Sequence, residues 1–149
     1  MYAFVGNSPV NRRDSLGLAF GDDGHSGSGI LGPLFDLSQK AKDNSCNGTV
    51  GGNVVAQLRR HGIDGNDDDG GGNAFRHCLA VCQSAKTCGE DSAKRFWDGR
   101  EKGKPGAEQD LANNSAGYKN ASQSSCWDAC MNSWNNGGLT CKGKPCPPR

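Results

Sequence analysis

Residues 73–119 read NAFRHCLAVCQSAKTCGEDSAKRFWDGREKGKPGAEQDLANNSAGYK, and they carry the clearest helical patterns of the chain. Apolar side chains recur there every three or four residues, which is the spacing of one helical face. In the first part of the stretch these side chains are Phe75, Cys78, Leu79, Cys82 and Ala85. Gly89 and the run GKPG at 103–106 interrupt the pattern, because glycine and proline commonly end helices. The stretch therefore predicts three successive helices.

The bounds of these helices follow from their flanking residues. The first is expected to begin near Asn73, since an asparagine side chain can cap the free N–H groups of a first turn. The second is expected to begin near Asp91 or Ser92, and the third covers 107–116. A fourth helix is predicted at 124–134 from the cysteine and tryptophan residues that this segment contains.

Two shorter helices are predicted upstream, at 31–43 (LGPLFDLSQKAKD) and 54–61 (VVAQLRRH), with a turn cluster, SCNGTVGG, around Cys46 between them. Together the patterns indicate an all-α fold, a small disulfide-braced bundle of about four to five helices. We expect this bundle to occupy residues 31–149 as one domain, behind a flexible N-terminal arm.

The composition of the chain limits its function. A length of 149 residues suffices for one domain and a tail. An apolar content of 34% with 23 glycines is lean for a packed core. The net charge of +1 argues against an electrostatic nucleic-acid binder, so nucleic acid is not an expected partner. No stretch of the sequence is long and apolar enough to span a bilayer.

The cysteines indicate the compartment. Eight cysteines in so lean a chain are typical of a disulfide framework, which forms under oxidising conditions. The N-terminal residues MYAFVGNSPVNRRD lack the apolar run of a signal peptide. We therefore expect a secreted protein that is exported by another route or as the end of a larger exported protein. It would act in the periplasm, in the extracellular space or at a target-cell membrane.

The spacing of four cysteines predicts how they pair. Cys78 and Cys82 are four residues apart, as are Cys126 and Cys130, and residues four apart share one face of a helix. Two antiparallel helices would then form the disulfides Cys78–Cys130 and Cys82–Cys126. The other four would pair among themselves, and the last two of them could close a small loop: Cys46, Cys88, Cys141 and Cys146. The alternative is a zinc site made by the first four thiols.

The segment GIDGNDDDGGG has part of a calcium-loop pattern. Asp64, Asn66 and Asp68 have the 1-3-5 spacing of an EF-hand. The sixth position is Asp69 where the EF-hand has glycine, and the twelfth is Phe75 where it has glutamate. The pattern favours an acidic, solvated loop, with a weak cation site as the alternative.

Eight polar side chains of residues 73–119 are predicted to converge on one site. Two lie on its first helix, three on the second and three on the third: Arg76, His77, Asp98, Arg100, Glu101, Asp110, Asn113 and Asn114. Asparagine is a poor helix-interior residue, so the adjacent pair indicates a helix end or a polar contact with a use. There are ordinary structural alternatives as well. A buried helical histidine is often a satisfied core residue, and Asp98 could pair with Lys94 on a solvated face.

Residues 1–18, MYAFVGNSPVNRRDSLGL, resemble the end of the Rhs/YD-repeat core, where a Tyr-x-x-x-Gly-Asn-x-Pro-Val-Asn segment leads into an Asp-Pro-x-Gly-Leu terminus. The matching residues are Tyr2, Gly6, Asn7, Pro9, Val10, Asn11, Asp14, Gly17 and Leu18, and Ser15 stands where the family usually has proline. In that family the motif separates a β-rich shell from a variable C-terminal domain, often a toxin released by cleavage just after the motif. The resemblance implies two partners, the Rhs core shell before cleavage and a cognate immunity protein. Residues 19–30, rich in Gly, Ser and Asp, are a predicted linker.

Residues 74–121 resemble the helical N-terminal domain of Wnt proteins and a group of bacterial toxin-tail domains. AFRHCLAVC is similar to their Phe-Arg segment, and the later residues are similar to a Phe-x-Asp-x-Arg-Glu helix followed by an Asn-Leu-His-Asn-Asn-x-Ala-Gly helix. The residues that match one or both groups are Arg76, His77, Ala93, Lys94, Phe96, Asp98, Arg100, Glu101, Asp110, Leu111, Asn113, Asn114, Ala116 and Gly117. Both groups have been proposed to form one helical superfamily, the lipocone fold, with lipid-directed chemistry in its enzymatic members. Ala112 stands where both have histidine.

The resemblance implies a secreted toxin domain that hydrolyses, or transfers the head group of, a lipid or lipid-linked phosphodiester, at a membrane surface or on a free lipid. His77 would act as general base or nucleophile, with Asp98 or Glu101 orienting it. Arginines would hold the phosphate and asparagines would donate hydrogen bonds to developing negative charge. The residues expected to bind substrate are Arg76, Arg100, Asp110, Asn113 and Asn114. No cofactor and no metal is assigned to this mechanism.

Two other functions stay open. A non-catalytic module that binds a lipid or a receptor is favoured by Ala112, if the histidine of the related families is catalytic. A nuclease toxin is a common cargo of Rhs cores, and histidine with acidic residues could bind its metal. The near-neutral charge and the eight cysteines argue against the nuclease.

Overall fold

The computed structural model describes residues 31–66 and 70–149, and in this part of the chain the fold is all-α, as predicted. Five helices and a two-stranded antiparallel hairpin follow one another: α1 (Leu31–Arg60), α2 (Gly71–Cys88), α3 (Glu90–Glu101), α4 (Ala107–Asn120), α5 (Cys126–Asn135), β1 (Thr140–Cys141) and β2 (Lys144–Pro145).

Residues 36–149 form one compact unit, which contains helices α2–α5, the hairpin and the greater part of α1. The Rhs motif expected at 1–18 and the linker expected at 19–30 lie outside the described residues, so the domain boundaries drawn there stay predictions.

Helix α1 is a single helix of 30 residues, and the prediction of two short helices separated by a turn at Cys46 is wrong. The reason is packing. Val50, Val54 and Leu58 recur every four residues and are almost fully buried in the core. Burial of such a stripe outweighs the low helix propensity of the glycines in SCNGTVGG, because most helical stability in proteins comes from tertiary contacts.

Helix α2 is the central helix of the bundle. It begins at Gly71 with Gly70 in the N-cap position, three residues before Asn73, so the prediction of Asn73 as the cap is wrong. The start is fixed by Gly72, since a Cβ atom there would lie 1.9 Å from the backbone oxygen of Asp64. The predicted end at Gly89 is confirmed.

Helix α4 continues past the predicted end at 116 to Asn120, so the asparagine pair lies inside the helix. Gly117 brings α4 against α2, since a Cβ atom at this position would lie 2.6 Å from the backbone oxygen of Cys78. Helix α3 begins at Glu90, close to the predicted start. Helix α5 begins at Cys126, where the Ser125 hydroxyl caps the first turn.

All eight cysteines form disulfides, and the two predicted links between helices are confirmed. Cys78–Cys130 and Cys82–Cys126 join α2 to α5. The other two bonds are Cys46–Cys88, which joins α1 to the end of α2, and Cys141–Cys146, which closes the hairpin. The alternative of a zinc site is wrong, because the four sulfur atoms that would bind zinc are joined in pairs as disulfides. Four disulfides indicate an oxidising environment such as the periplasm or the cell exterior.

The C-terminal segment packs on the bundle through aromatic and polar contacts. Phe75 meets the rings of Trp127 and Trp134 at centroid distances of 5.0 and 5.5 Å. Leu139 is fully buried just before the hairpin.

Among the described helices, none is both long and apolar enough to cross a membrane.

Candidate functional site

A cavity of about 360 Å³ lies between α1, the middle of α2, the end of α3 and the start of α4. One part of its wall is polar and carries Arg76, His77, Arg100, Glu101, Lys104 and Asp110. The other part consists of small, aliphatic and aromatic residues: Gly48, Gly51, Val55, Ala80, Phe96 and Trp97. The cavity therefore offers both an ionic and an apolar surface to a single ligand.

His77 is the buried centre of the polar wall, with 7% of its surface exposed. Its Nδ1 atom lies 3.0 Å from Oδ1 of Asn114, and its Nε2 atom lies 3.3 Å from Oδ1 of Asp110. Asp110 and Asn114 are four residues apart on α4, so one face of that helix meets both nitrogens of the ring. The imidazole is thereby fixed in orientation.

Asp98 reaches His77 through Asn114. The amide nitrogen of Asn114 donates to Oδ1 of Asp98 at 2.9 Å, and the hydroxyl of Tyr118 donates to the same oxygen at 3.0 Å. The expectation that Asp98 could orient the histidine therefore takes a less direct form in the structure. Asn114, expected to contact the substrate, has its oxygen on His77 and its nitrogen on Asp98.

The surroundings of the Asp110 carboxyl group shift it towards its neutral form. Burial is the main cause and raises its pKa above the ordinary value, and Glu101 adds to the rise. The charges of His77 and Arg76 act in the opposite direction. Glu101 is itself 6% exposed and pairs with Lys104 at 3.1 Å. A raised pKa brings a carboxyl group closer to the range in which it can serve as a general acid.

Two arginines extend the polar wall. Arg76 donates to the side-chain oxygen of Asn73 at 2.5 Å, and the guanidinium of Arg100 lies 5.2 Å from the centre of the Phe96 ring. Within the described residues neither arginine forms an ion pair with a carboxylate. Both are therefore available to an anion, and the guanidinium group suits a phosphate.

The structure places Asn113 away from the cavity. Its amide nitrogen donates to the backbone oxygen of Thr140 at 3.0 Å, and its oxygen accepts from the backbone N–H of Thr140 at 2.8 Å. Both polar atoms are thus used to hold β1. Of the eight predicted site residues, five line the cavity, two stand behind His77, and Asn113 serves the hairpin.

The predicted site lacks the whole apolar wall of the cavity, and it also lacks Lys104 and Tyr118. Tyr118 follows Asn114 by four residues, as Asn114 follows Asp110, so a helical stripe over 110, 114 and 118 would have found it. Lys104 lies in the break between α3 and α4. Nothing in the spacing marks it as a site residue.

Ala112 is exposed and does not line the cavity. It is two residues from Asp110 and two from Asn114, which is a rotation of about 200° around a helix of 3.6 residues per turn. A histidine at this position would point away from His77. The substitution relative to the resembling families therefore removes nothing from the wall described here.

The apolar part of the cavity depends on glycine. Nothing lies within 4 Å of a Cβ atom built on Gly48, while a Cβ atom on Gly51 would lie 3.1 Å from the Trp97 ring. A glycine inside a helix costs about 1 kcal/mol relative to alanine. At Gly51 this cost in helix stability is offset by close packing with Trp97. At Gly48 the missing side chain leaves open space in the cavity.

Among the described residues, no group of three or more His, Cys, Asp or Glu is arranged to hold a metal ion. In the predicted acidic loop, the backbone N–H of Asn66 donates to the Asp64 carboxylate at 2.9 Å. Asp68 and Asp69 lie outside the described residues, so the weak cation site is not tested.

No protein-family model, curated protein or solved structure matches this chain. The chemistry of the cavity is therefore derived from its own residues.

Proposed function

We propose that the chain carries the effector domain of a secreted polymorphic toxin, and that this domain is an enzyme acting on a lipid or lipid-linked phosphodiester. The reaction would be hydrolysis or transfer of the head group. One observation carries the proposal. The buried imidazole of His77 has Nε2 beside Asp110, in a cavity lined by two arginines and by aromatic rings.

The polar wall fits a phosphodiester, which carries one negative charge. Arg76 and Arg100 provide donors for its two non-bridging oxygens, because a guanidinium can form two parallel hydrogen bonds with such a group. Lys104 is partly neutralised by Glu101 at 3.1 Å. Arg76 and Arg100 then supply the free positive charge of the wall, which is sufficient for a monoanion.

The residues also support a complete proton cycle. Nε2 of His77 accepts a proton from water, or from an acceptor alcohol, as the oxygen–phosphorus bond forms. Neutral Asp110 gives its proton to the leaving oxygen as the other phosphorus–oxygen bond breaks. The imidazolium and the Asp110 carboxylate then stand 3.3 Å apart, so a proton transfer between them restores the starting state.

The apolar wall favours a substrate with a hydrocarbon part. Val55, Phe96 and Trp97 adjoin the polar wall within the same cavity. An amphiphile could place its phosphate near His77 and the first carbons of its chain against these side chains. The disulfides, which need an oxidising compartment, agree with a membrane-surface substrate outside the cytosol.

The resemblance of residues 1–18 to the Rhs core supports the toxin context, with the core shell and an immunity protein as partners. The non-catalytic alternative was favoured by Ala112, which lies outside the cavity. The enzyme is therefore the better-supported function.

The test is expression of the full chain directed to the bacterial periplasm or retained in the cytoplasm, followed by lipid extraction. The variants are His77→Ala and, as matched control, His61→Ala, since His61 stacks on Trp127 outside the cavity. We expect growth arrest and an altered lipid profile only from the periplasm, abolished by His77→Ala and kept by His61→Ala. Killing from the cytoplasm with nucleic-acid degradation would establish the nuclease. Lipid retained unaltered, without killing, would establish the binding module.

A further inference from the structure

The two nitrogens of His77 face different kinds of atom. Nε2 faces the cavity and a carboxyl group, whereas Nδ1 faces a side-chain amide. A neutral imidazole carries one proton, and its other nitrogen is the one that can accept another. Which nitrogen keeps the proton therefore decides whether the cavity contains a base.

The amide of Asn114 can point only one way. The carboxylate of Asp98 accepts hydrogen bonds and donates none, so the atom of Asn114 that faces it at 2.9 Å is the NH₂ group. The amide oxygen is consequently left for His77, and an oxygen at 3.0 Å from Nδ1 requires a proton on that nitrogen. Asn114 is fully buried, so water offers it no alternative partner.

Tyr118 fixes the other end of this chain of hydrogen bonds. Its hydroxyl donates to the same oxygen of Asp98 that Asn114 uses. Burial, together with the neighbouring carboxylate, raises the pKa of Tyr118 well above its ordinary value, so the hydroxyl stays a donor at any physiological pH. Asp98 thus has two donors that define the position of one oxygen.

We propose that Tyr118, Asp98 and Asn114 are positioning residues that keep the proton of neutral His77 on Nδ1 and so make Nε2 the reactive nitrogen. Their effect on catalysis rests on the function proposed above. Their effect on the proton does not, because the tautomer is a property of the folded protein without substrate.

Nitrogen NMR of the histidine-labelled, oxidised full chain measures the tautomer directly. The chain has three histidines, and spectra of His61→Ala and His77→Ala assign the signals. At about pH 9, well above the ordinary pKa of histidine, we expect the Nδ1–H form of His77. In Asn114→Leu the oxygen is lost, and Asp110 at 3.3 Å then draws the proton to Nε2. Asp98→Ala, which frees the amide to turn, should give a mixture of both forms.

Conservative variants separate positioning from simple structural support. Asp98→Asn keeps a carbonyl oxygen for both donors and should retain the Nδ1–H form. Tyr118→Phe removes one of the two donors and should give an intermediate spectrum. Asn113→Leu is the matched control. Asn113 lies on the same helix as Asn114 but contacts Thr140 of β1, so this variant should leave the tautomer unchanged.

Activity provides a second readout. If the proposed function holds, Asn114→Leu should lower kcat by about 10²–10⁴-fold with a much smaller change in KM, as expected for a misplaced base proton. The Nε2–H form in the wild type, or the Nδ1–H form in Asn114→Leu, would overturn the inference. A wild type with the Nδ1–H form and no lipid-directed activity would instead reject the proposed function and leave the positioning role standing.

Discussion

Nε2 of His77 lies 3.3 Å from Oδ1 of Asp110, at the polar wall of the cavity. One proton can occupy this gap in addition to the proton on Nδ1, and it can reside on the ring or on the carboxyl group. The raised pKa of Asp110 keeps the second possibility open. The pair can therefore accept a proton at one atom and release one at the other.

Replacing Asp110 by asparagine removes the group that releases the proton while keeping its shape. We expect Asp110→Asn to lower kcat by about 10²–10⁴-fold, which is the usual contribution of general acid–base catalysis. The wild type should lose activity with rising pH as the shared proton is lost, and the variant should lack this alkaline decline. The pH–rate profile on the lipid identified by extraction checks this. An unchanged profile in the variant would remove Asp110 from the mechanism.

Asp110→Asn, which should lower activity, should raise the stability of the folded protein. A raised folded-state pKa means that the folded protein binds the Asp110 proton more tightly than the unfolded chain does. The contribution of Asp110 to the free energy of unfolding is then complete below the ordinary value of 3.8 and is lost as pH rises through the folded-state pKa. Asp110→Asn cannot ionise, so it should be more stable than the wild type at pH 7. Thermal unfolding at several pH values measures the difference. A variant less stable than the wild type at pH 7 would contradict the argument.

Asp43 should confer stability with the reverse dependence on pH. It accepts from Arg95 at 2.7 Å and from Ser92 at 2.7 Å, and the hydrogen bond from Arg95 is the main reason that its pKa falls to about 2. A depressed pKa gives stability that is complete above the ordinary value of 3.8 and is lost as pH falls towards 2.

Asp43→Asn should therefore be less stable than the wild type at pH 7, and this difference should shrink between pH 3.8 and about 2. Urea unfolding at each pH provides the measurement. Asp36→Asn, at an exposed position of the same helix, is the control. Equal acid sensitivity in all three proteins would show that the Asp43 contacts between α1 and α3 do not govern acid unfolding.

A larger side chain at Gly48 should block the cavity without unfolding the protein. The position is helical and open, so Gly48→Leu improves helix propensity and meets no atom at its Cβ. Gly52→Leu is a matched control on the same helix, because Gly52 is open as well but lies outside the cavity. We expect both variants to keep or raise the melting temperature and only Gly48→Leu to lose lipid turnover. Equal activity in the two would place the substrate elsewhere.

The disulfides should differ in their contributions. In the chain-entropy model a bond that closes a loop of 52 residues, as Cys78–Cys130 does, contributes about 4 kcal/mol. Cys141–Cys146 is separated by 5 residues and should contribute about 2 kcal/mol. Double Cys→Ala variants of each pair, unfolded in urea, give the two values. A hairpin bond worth as much as the interhelical bond would show that loop length is not the deciding variable.

Sequence reasoning predicted the elements that are specified by residues close together in the chain. The recurrence at 75, 78, 79, 82 and 85 placed α2, and the paired four-residue spacing of cysteines gave the two bonds to α5. It failed on α1, because the glycines of SCNGTVGG favour a turn locally and only the buried stripe through Val54 keeps the segment helical. Tertiary packing decides between the turn and the helix, and the residues of α2 that take part in this packing are distant from SCNGTVGG in the chain.

Sequence reasoning named five polar residues of the cavity, but it found neither the apolar wall nor the arrangement of the polar groups. Asn113 and Asn114 are the same residue type at adjacent positions, yet a rotation of about 100° on the helix sends one to β1 and the other to His77. Which of the two meets the histidine depends on the rotation of α4 against α2. That rotation is set by packing at Gly117, which the pattern of polar residues does not reveal.

The close approach of Gly117 to Cys78 has an evolutionary consequence. The imidazole and three of the groups around it, Asp110, Asn114 and Tyr118, are carried by two helices whose separation is set by bare backbone, so almost any side chain at Gly117 would part them. The cavity wall on α1 carries none of the groups that hydrogen-bond the imidazole, and Gly48 there is open to a larger side chain. If the proposed function holds, descendants of this domain could therefore change the shape of the ligand they accept by altering α1 while inheriting the imidazole and its partners intact.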